Sequence, residues 1–148
     1  MKTILITGST DGIGLVTAKA LLERGHRVLI HGRSEQKVNG VVAELVAQAG
    51  AERVAGFVAD LSDLAAIDSL ASDVLAANAN LDVLINNAGV FQAPSVVTAD
   101  GLDLRFVVNT LAPYLLTLET GTGTAPGRAG RQSVLGGSIL RGPEGADR

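Results

Sequence analysis

Eight residues near the N-terminus, Thr7-Gly8-Ser9-Thr10-Asp11-Gly12-Ile13-Gly14, have the types and spacing of a loop that holds phosphate. They directly follow a short β-branched run and open a stretch of helical periodicity, which is the context such a loop requires. Gly8 permits the tight turn, Gly12 lets the backbone approach a diphosphate with no Cβ in the way, and Gly14 lets the helix pack closely on the sheet. Free N–H groups and the positive dipole end of the helix then face the phosphates. Gly8, Ser9, Thr10, Gly12, Ile13 and Gly14 are accordingly the candidate contacts to a dinucleotide.

A second apolar run ends in His31-Gly32-Arg33-Ser34, with no acid before Glu35. A site for NAD usually places an acidic residue there to accept from the ribose hydroxyls. A carboxylate would repel a 2′-phosphate, whereas the guanidinium of Arg33 pairs with one bidentately. The cofactor expected is NADP, with NAD the lesser candidate, and the Ser9 hydroxyl is expected to add a contact. His26 and His31 sit at the edges of apolar runs and read as packing or surface residues, so no metal site is expected.

These residues need elements to position them. Residues 3–7 are a β-branched run ended by glycine, as for a strand buried on both faces. Helical spacing follows over 12–24 and Gly25 suits its end. Strands are predicted at 27–31, 53–59 and 81–86. Ser34 caps a helix with an inward stripe of Val38, Val41, Val42, Leu45 and Ala49, closed by Gly50. The next helix carries Leu64, Ile67, Ala71, Val74 and Leu75, and a last one is predicted over 101–118. Strand–helix alternation with short connections predicts an α/β fold, a partial Rossmann-type doubly wound parallel sheet of strand order 3-2-1-4. Residues 1–118 form the dinucleotide-binding domain in this reading.

Composition supports that class and excludes others. Hydrophobic residues make up 47% of the 148 and aromatics only 3%, so aliphatic side chains must fill the core, as in a parallel sheet covered by helices. A net charge of −3 offers nothing to nucleic acid or to an anionic membrane. With no cysteine there is neither disulfide nor thiolate chemistry. The apolar run after Lys2 stops at Thr7-Gly8, far short of a signal sequence, and no segment approaches the roughly 20 apolar residues of a membrane span. A cytoplasmic protein is expected.

With the motifs in hand, residues 1–118 resemble the N-terminal part of a short-chain dehydrogenase/reductase, and are similar to its retinol-dehydrogenase-like, NADP-preferring members. The glycine loop has that family's TGxxxGxG spacing. Asp60-Leu61-Ser62 matches the position where the family contacts adenine, and Asn86-Asn87-Ala88-Gly89 matches its NNAG motif after strand four. Asn109, within Val108-Asn109-Thr110-Leu111-Ala112-Pro113, matches the catalytic-site asparagine. The resemblance implies that Asp60, Leu61, Asn87, Ala88 and Gly89 line the cofactor and that Asn109 holds a water of the proton relay. Chemistry leaves alternatives at each. Asp60 either accepts from adenine or caps the following helix. Asn86 and Asn87 either satisfy the strand end or touch cofactor. Pro113 has no N–H for the Asn109 carbonyl, which leaves that carbonyl either to hold water or simply to mark a kink.

The family reduces carbonyls or oxidises alcohols by hydride transfer, and the resemblance implies three further residues. These are a tyrosine acid/base, a lysine four residues on, and a serine. A phenol of pKa about 10 needs such a cation nearby to work near neutrality. The one tyrosine here is Tyr114, followed four residues later by Leu118, and the last lysine is Lys37. Tyr114 is expected to pack among Leu111, Leu115 and Leu118. Eight of the eighteen glycines fall after Thr120, so residues 119–148 read as a Gly/Arg-rich tail, either flexible or a degraded strand near Ser133 or Ser138. A loss of the family reading frame near residue 118 would produce that change. The expectation is therefore an NADP(H)-binding oxidoreductase relative, truncated before its catalytic pair, with little or no activity alone. A non-catalytic nucleotide sensor or interaction module is the alternative. Strand four is expected to be an uncovered edge open to self-association.

Overall fold

The computed structural model describes residues 1–78, 80–92, 96–121 and 132–135. The first strand, β1 (Thr3–Ile6), is the centre around which the rest is laid. Its side chains alternate between the two sheet faces, and Ile4, Leu5 and Ile6 are all buried. It is hydrogen-bonded along both edges, to β2 (Arg27–Gly32) and β4 (Val83–Asn86), both parallel to it, so apolar cover is needed on both of its faces as well. β3 (Val54–Val58) pairs with β2, and β5 (Gln132–Leu135) pairs with β4. The order is β3-β2-β1-β4-β5, which contains the predicted 3-2-1-4.

Helices cover both faces of this sheet. On one side α1 (Gly12–Glu23) and α2 (Glu35–Ala49) bury Ala18, Leu22 and Leu45 against Ile4, Ile6, Val28 and Ile30. On the other, α3 (Leu64–Ala77) and α5 (Ala112–Glu119) bury Ile67, Leu70, Val74 and Leu116 against Leu5, Leu29 and Leu84. Leu70, not Leu75, completes the α3 stripe, because Leu75 is turned toward solvent. Asp63 caps α3, accepting from the N–H groups of Ala65 and Ala66 at 2.9 and 3.4 Å. Asp60, the capping alternative read from the sequence, instead closes a local turn on Ser62.

The last helical segment departs from the single helix expected over 101–118. It is a short turn, α4 (Leu104–Phe106), then a π-helical turn at Val107–Leu111, then α5. Pro113 cannot donate, and the chain widens by one residue just before it, with the N–H of Ala112 donating to the Val107 carbonyl. Tyr114 does not pack inward as expected, being 59% exposed. It lies two residues from both Ala112 and Leu116, which are fully buried, and two residues turn about 200° around a helix.

The expected open edge on strand four is also corrected. β5 pairs with it from Val83↔Gln132 to Asn86↔Leu135, so the edge offered for self-association is occupied along that register. Ser133 falls within β5, while Ser138 and the remainder of the tail lie outside the described residues. Among the described residues no helix is long and apolar enough to cross a membrane. The cap assignment is testable: Asp63→Ala should cost about 1 kcal/mol, read as a lowered urea midpoint with an unchanged slope.

Candidate functional site

The C-terminal ends of β1, β2, β3 and β4 open together into a cleft of about 540 Å³, within the usual range for a small-molecule site. Parallel strands place all their exits on one side, so the loops that follow them converge there. Of the residues singled out from sequence, Gly8, Thr10, Arg33, Asp60 and Leu61 line the cleft, as do Asn87, Ala88 and Gly89. Ser9, Gly12, Ile13, Gly14 and Asn109 do not.

At the start of α1, Gly12 has φ +53 and nothing within 4 Å of where a Cβ would stand. That is an open, left-handed position from which a group outside the chain can approach the backbone. The helix N-terminus is not entirely free, contrary to expectation. Asp11 caps α1 and accepts the Gly12 N–H at 2.7 Å, so an incoming diphosphate has to compete with this carboxylate. Gly14 serves a different purpose from the sheet packing expected of it. A Cβ there would lie 2.4 Å from the Gly8 carbonyl oxygen and 2.6 Å from Asn87 Nδ2, so its absence lets α1 close onto the loop itself. Ile13 stands 59% exposed beside it.

Ser9 is a correction. It is completely buried, its hydroxyl donates to the Ile6 carbonyl at 2.8 Å and accepts the His31 N–H at 3.0 Å, and its own N–H donates to the His31 carbonyl. A hydroxyl engaged on both sides, beneath the loop, cannot serve a ribose phosphate. Its work is to join the end of β1 to β2.

Asn87 supports the same loop. Its Nδ2 donates to the Thr7 and Gly8 carbonyls at 3.0 Å each, while Thr7 Oγ1 accepts the N–H groups of Asn87 and Ala88 at 3.0 Å each. Of the two roles left open by its chemistry, this side chain fills the structural one. The Asn86 amide reaches Thr117 on α5 at 3.4 Å. Asn109 stands in the π turn, where Oδ1 accepts the Val90 N–H and Nδ2 donates to the Val90 carbonyl, both at 2.8 Å. It fastens the loop after β4 to the helix beneath.

Two charged groups mark the rim on the β2–β3 side. Arg33 is exposed just beyond β2. Burial works to raise the Asp60 carboxyl, yet its pKa lies below the usual value. Bonds from the Ser62 N–H at 2.9 Å and hydroxyl at 2.7 Å outweigh burial, and the charges of Arg33 and His31 act in the same direction. Asp60 is thus an anion held by its own turn, next to a cation with a free face toward the cleft.

His31 is the residue that sequence reasoning passed over as ordinary packing. It is buried, lines the cleft, accepts the Gly8 N–H on Nδ1 at 3.2 Å and meets the Ala59 carbonyl with Nε2 at 3.2 Å. The signal was a polar ring ending an otherwise apolar strand, directly before Gly32. Burial pushes its pKa down to about 4, against the raising influence of the Ala59 carbonyl and the Asp60 charge.

The family model described as short chain dehydrogenase matches residues 2–124. The chain belongs to the short-chain dehydrogenase family. This family member is 41% identical over 137 residues to retinol dehydrogenase 11 of Homo sapiens, covering 90% of this chain and 43% of that protein. It is 38% identical to retinol dehydrogenase 14 of Homo sapiens, covering 78% and 38%. Among solved structures, a metagenomic short-chain oxidoreductase in complex with NADP has 36% identity and a TM-score of 0.69, covering 81% of this chain and 54% of that one. A short-chain dehydrogenase from Sphingobium yanoikuyae in complex with NADPH has 30% identity and a TM-score of 0.69, covering 81% and 47%. The chain thus spans less than half the length of the retinol dehydrogenases it matches.

The His31 environment has a consequence for stability. Its folded pKa of about 4 lies below the ordinary 6.5, so the unfolded chain binds more protons between those values. The full contribution is present above pH 6.5 and drains away as pH falls toward 4, by about 3 kcal/mol over the window. Urea unfolding at a series of pH values should show this loss in the parent, and His31→Asn should show a shallower profile by that amount.

Proposed function

We propose that these residues form the NADP(H)-holding part of a short-chain oxidoreductase, with little or no turnover by the 148 residues alone. The observation that carries the reading is the pairing of two features at the exits of β1 and β2. One is the open Gly12 backbone at the start of α1, next to the lining residue Asp11, and the other is the Arg33 guanidinium at the rim, with no acid from the start of β2 until Glu35. The first suits a diphosphate and the second suits a phosphate on the adenosine ribose. A Cβ on Gly12 would stand in the open space from which a diphosphate reaches the backbone. Solved relatives described as complexes with NADP and NADPH support the same reading.

Within this arrangement Thr10, Leu61, Ala88 and Gly89 supply the walls, and Asp60 takes the adenine side. Ser9 from beneath, Asn87 within the lining and Asn109 from the neighbouring helix hold the loops that carry these walls. The chemistry that a bound nicotinamide would supply in a complete family site is hydride exchange with a carbonyl or alcohol. The chain's own contribution to that exchange would be a proton, and here the sequence offers no partner for one. Tyr114 is an exposed residue on α5 with Leu118 four residues on, and no lysine follows Lys37. A bare phenol with a pKa of about 10 is a poor acid/base near neutrality.

Titration with NADPH and NADH, followed by cofactor fluorescence and by melting temperature, should show saturable stabilisation with NADPH preferred. Arg33→Ala should cut the NADPH over NADH preference by roughly tenfold or more, the worth of a charge-assisted pair to phosphate. An unchanged preference removes Arg33 from the ribose site. A panel of carbonyl substrates with NADPH should give no turnover above background. Clear turnover that survives Tyr114→Phe would mean that another group supplies the proton.

A further inference from the structure

The peptide between Thr7 and Gly8 is clamped at both ends, by a side chain of β2 and by one from the residue that follows β4. Its carbonyl accepts from Asn87 Nδ2 at 3.0 Å, on the β4 side. Its N–H donates to His31 Nδ1 at 3.2 Å, on the β2 side. The Asn87 contact belongs to a motif already visible in the sequence. The His31 contact does not, and it is the more exacting of the two. An amide N–H only donates and a carbonyl only accepts, so Gly8 requires a bare Nδ1 and Ala59 requires a proton on Nε2. One neutral tautomer satisfies both. The backbone of His31 adds two more bonds, its N–H to Ser9 Oγ and its carbonyl from the Ser9 N–H. One residue of β2 therefore sets the orientation of the two residues that lead into the phosphate loop.

Resting on the cofactor reading above, we infer that His31 is a positioning residue for the dinucleotide. Through Nδ1 it fixes the Gly8 peptide and hence the path by which the loop presents Gly12 to the diphosphate. It touches no reacting atom and acts through the loop. The charged groups around it are Asp60, from the turn after β3, and Arg33, on its own strand's exit.

Two substitutions divide its contacts. The Oδ1 of His31→Asn can stand where Nδ1 stands and accept from Gly8, but the side chain falls short of Ala59. The longer His31→Gln can donate to the Ala59 carbonyl but leaves the Gly8 N–H without its acceptor. Both lose one of the two ring bonds, so a merely structural role predicts similar losses in both. With NADPH as the probe, His31→Asn should bind within about threefold of the parent, and His31→Gln about tenfold or more weaker, as for a partly buried donor left unsatisfied. Unfolding on the same samples should show comparable stability in the two variants. A Gln variant that binds as tightly as the parent, or an Asn variant as weak as Gln, overturns the inference and leaves the cofactor site standing. A parent that binds no NADPH takes the cofactor reading down, and this one with it. Should neither variant fold, the parent still decides. Long-range 1H–15N spectra of its histidine rings should place the proton on Nε2 of His31, and a proton on Nδ1 overturns the assignment.

Discussion

The central strand ends inside the protein, and the structure depends on how that end is satisfied. β1 is hydrogen-bonded on both sides and buried on both faces, so when its ladder stops after Ile6 the next peptides have little water to turn to. Unpaired amides there would be costly. Thr7, Asn87, Ser9 and His31 meet that demand with side chains and backbone, and in doing so they determine where the glycine loop goes. The loop is shaped from beneath by bonds made for stability, and its upper surface is left for a ligand.

This division of labour explains why some residues of the recognised motifs, Ser9 and Asn109 among them, serve the loops and do not line the cleft. The buried Ser9 hydroxyl both donates and accepts within the protein, and Asn109 holds the N–H and carbonyl of Val90. The cleft lining mixes small residues such as Gly8 and Ala88, polar ones such as Thr10 and Arg33, and apolar ones such as Leu61, Leu104 and Val108. Electrostatics follows the same plan. Asp60 is held ionised by Ser62 despite the pull of burial, Arg33 balances it, and His31 is kept neutral by burial so that no positive charge stands behind the loop.

The helical segment after β4 shows the same principle at lower stakes. A proline at position 113 removes one donor, and the backbone responds with a π turn that moves the hydrogen bonding by one residue. That turn places Asn109 against Val90 and so anchors the loop on the far wall of the cleft. β5 then pairs with β4, which extends the sheet beyond the four strands whose periodicity is clear.

What the amino-acid order determined by itself was the pattern: alternating strands and helices up to residue 118, the order 3-2-1-4, the glycine loop between β1 and α1, and the family motifs. These are legible because hydrophobic period and turn chemistry are local properties of a few adjacent residues. Which polar atom meets which was not legible. Ser9 to His31, Asn109 to Val90 and Gly8 to His31 join residues 19 to 23 apart, and only folding brings them within bonding distance. The inward or outward facing of Tyr114 and Leu75 likewise depended on where neighbouring elements came to rest. A side chain's chemistry belongs to its type, but whether that chemistry is free for a ligand is decided by the partners the tertiary structure supplies.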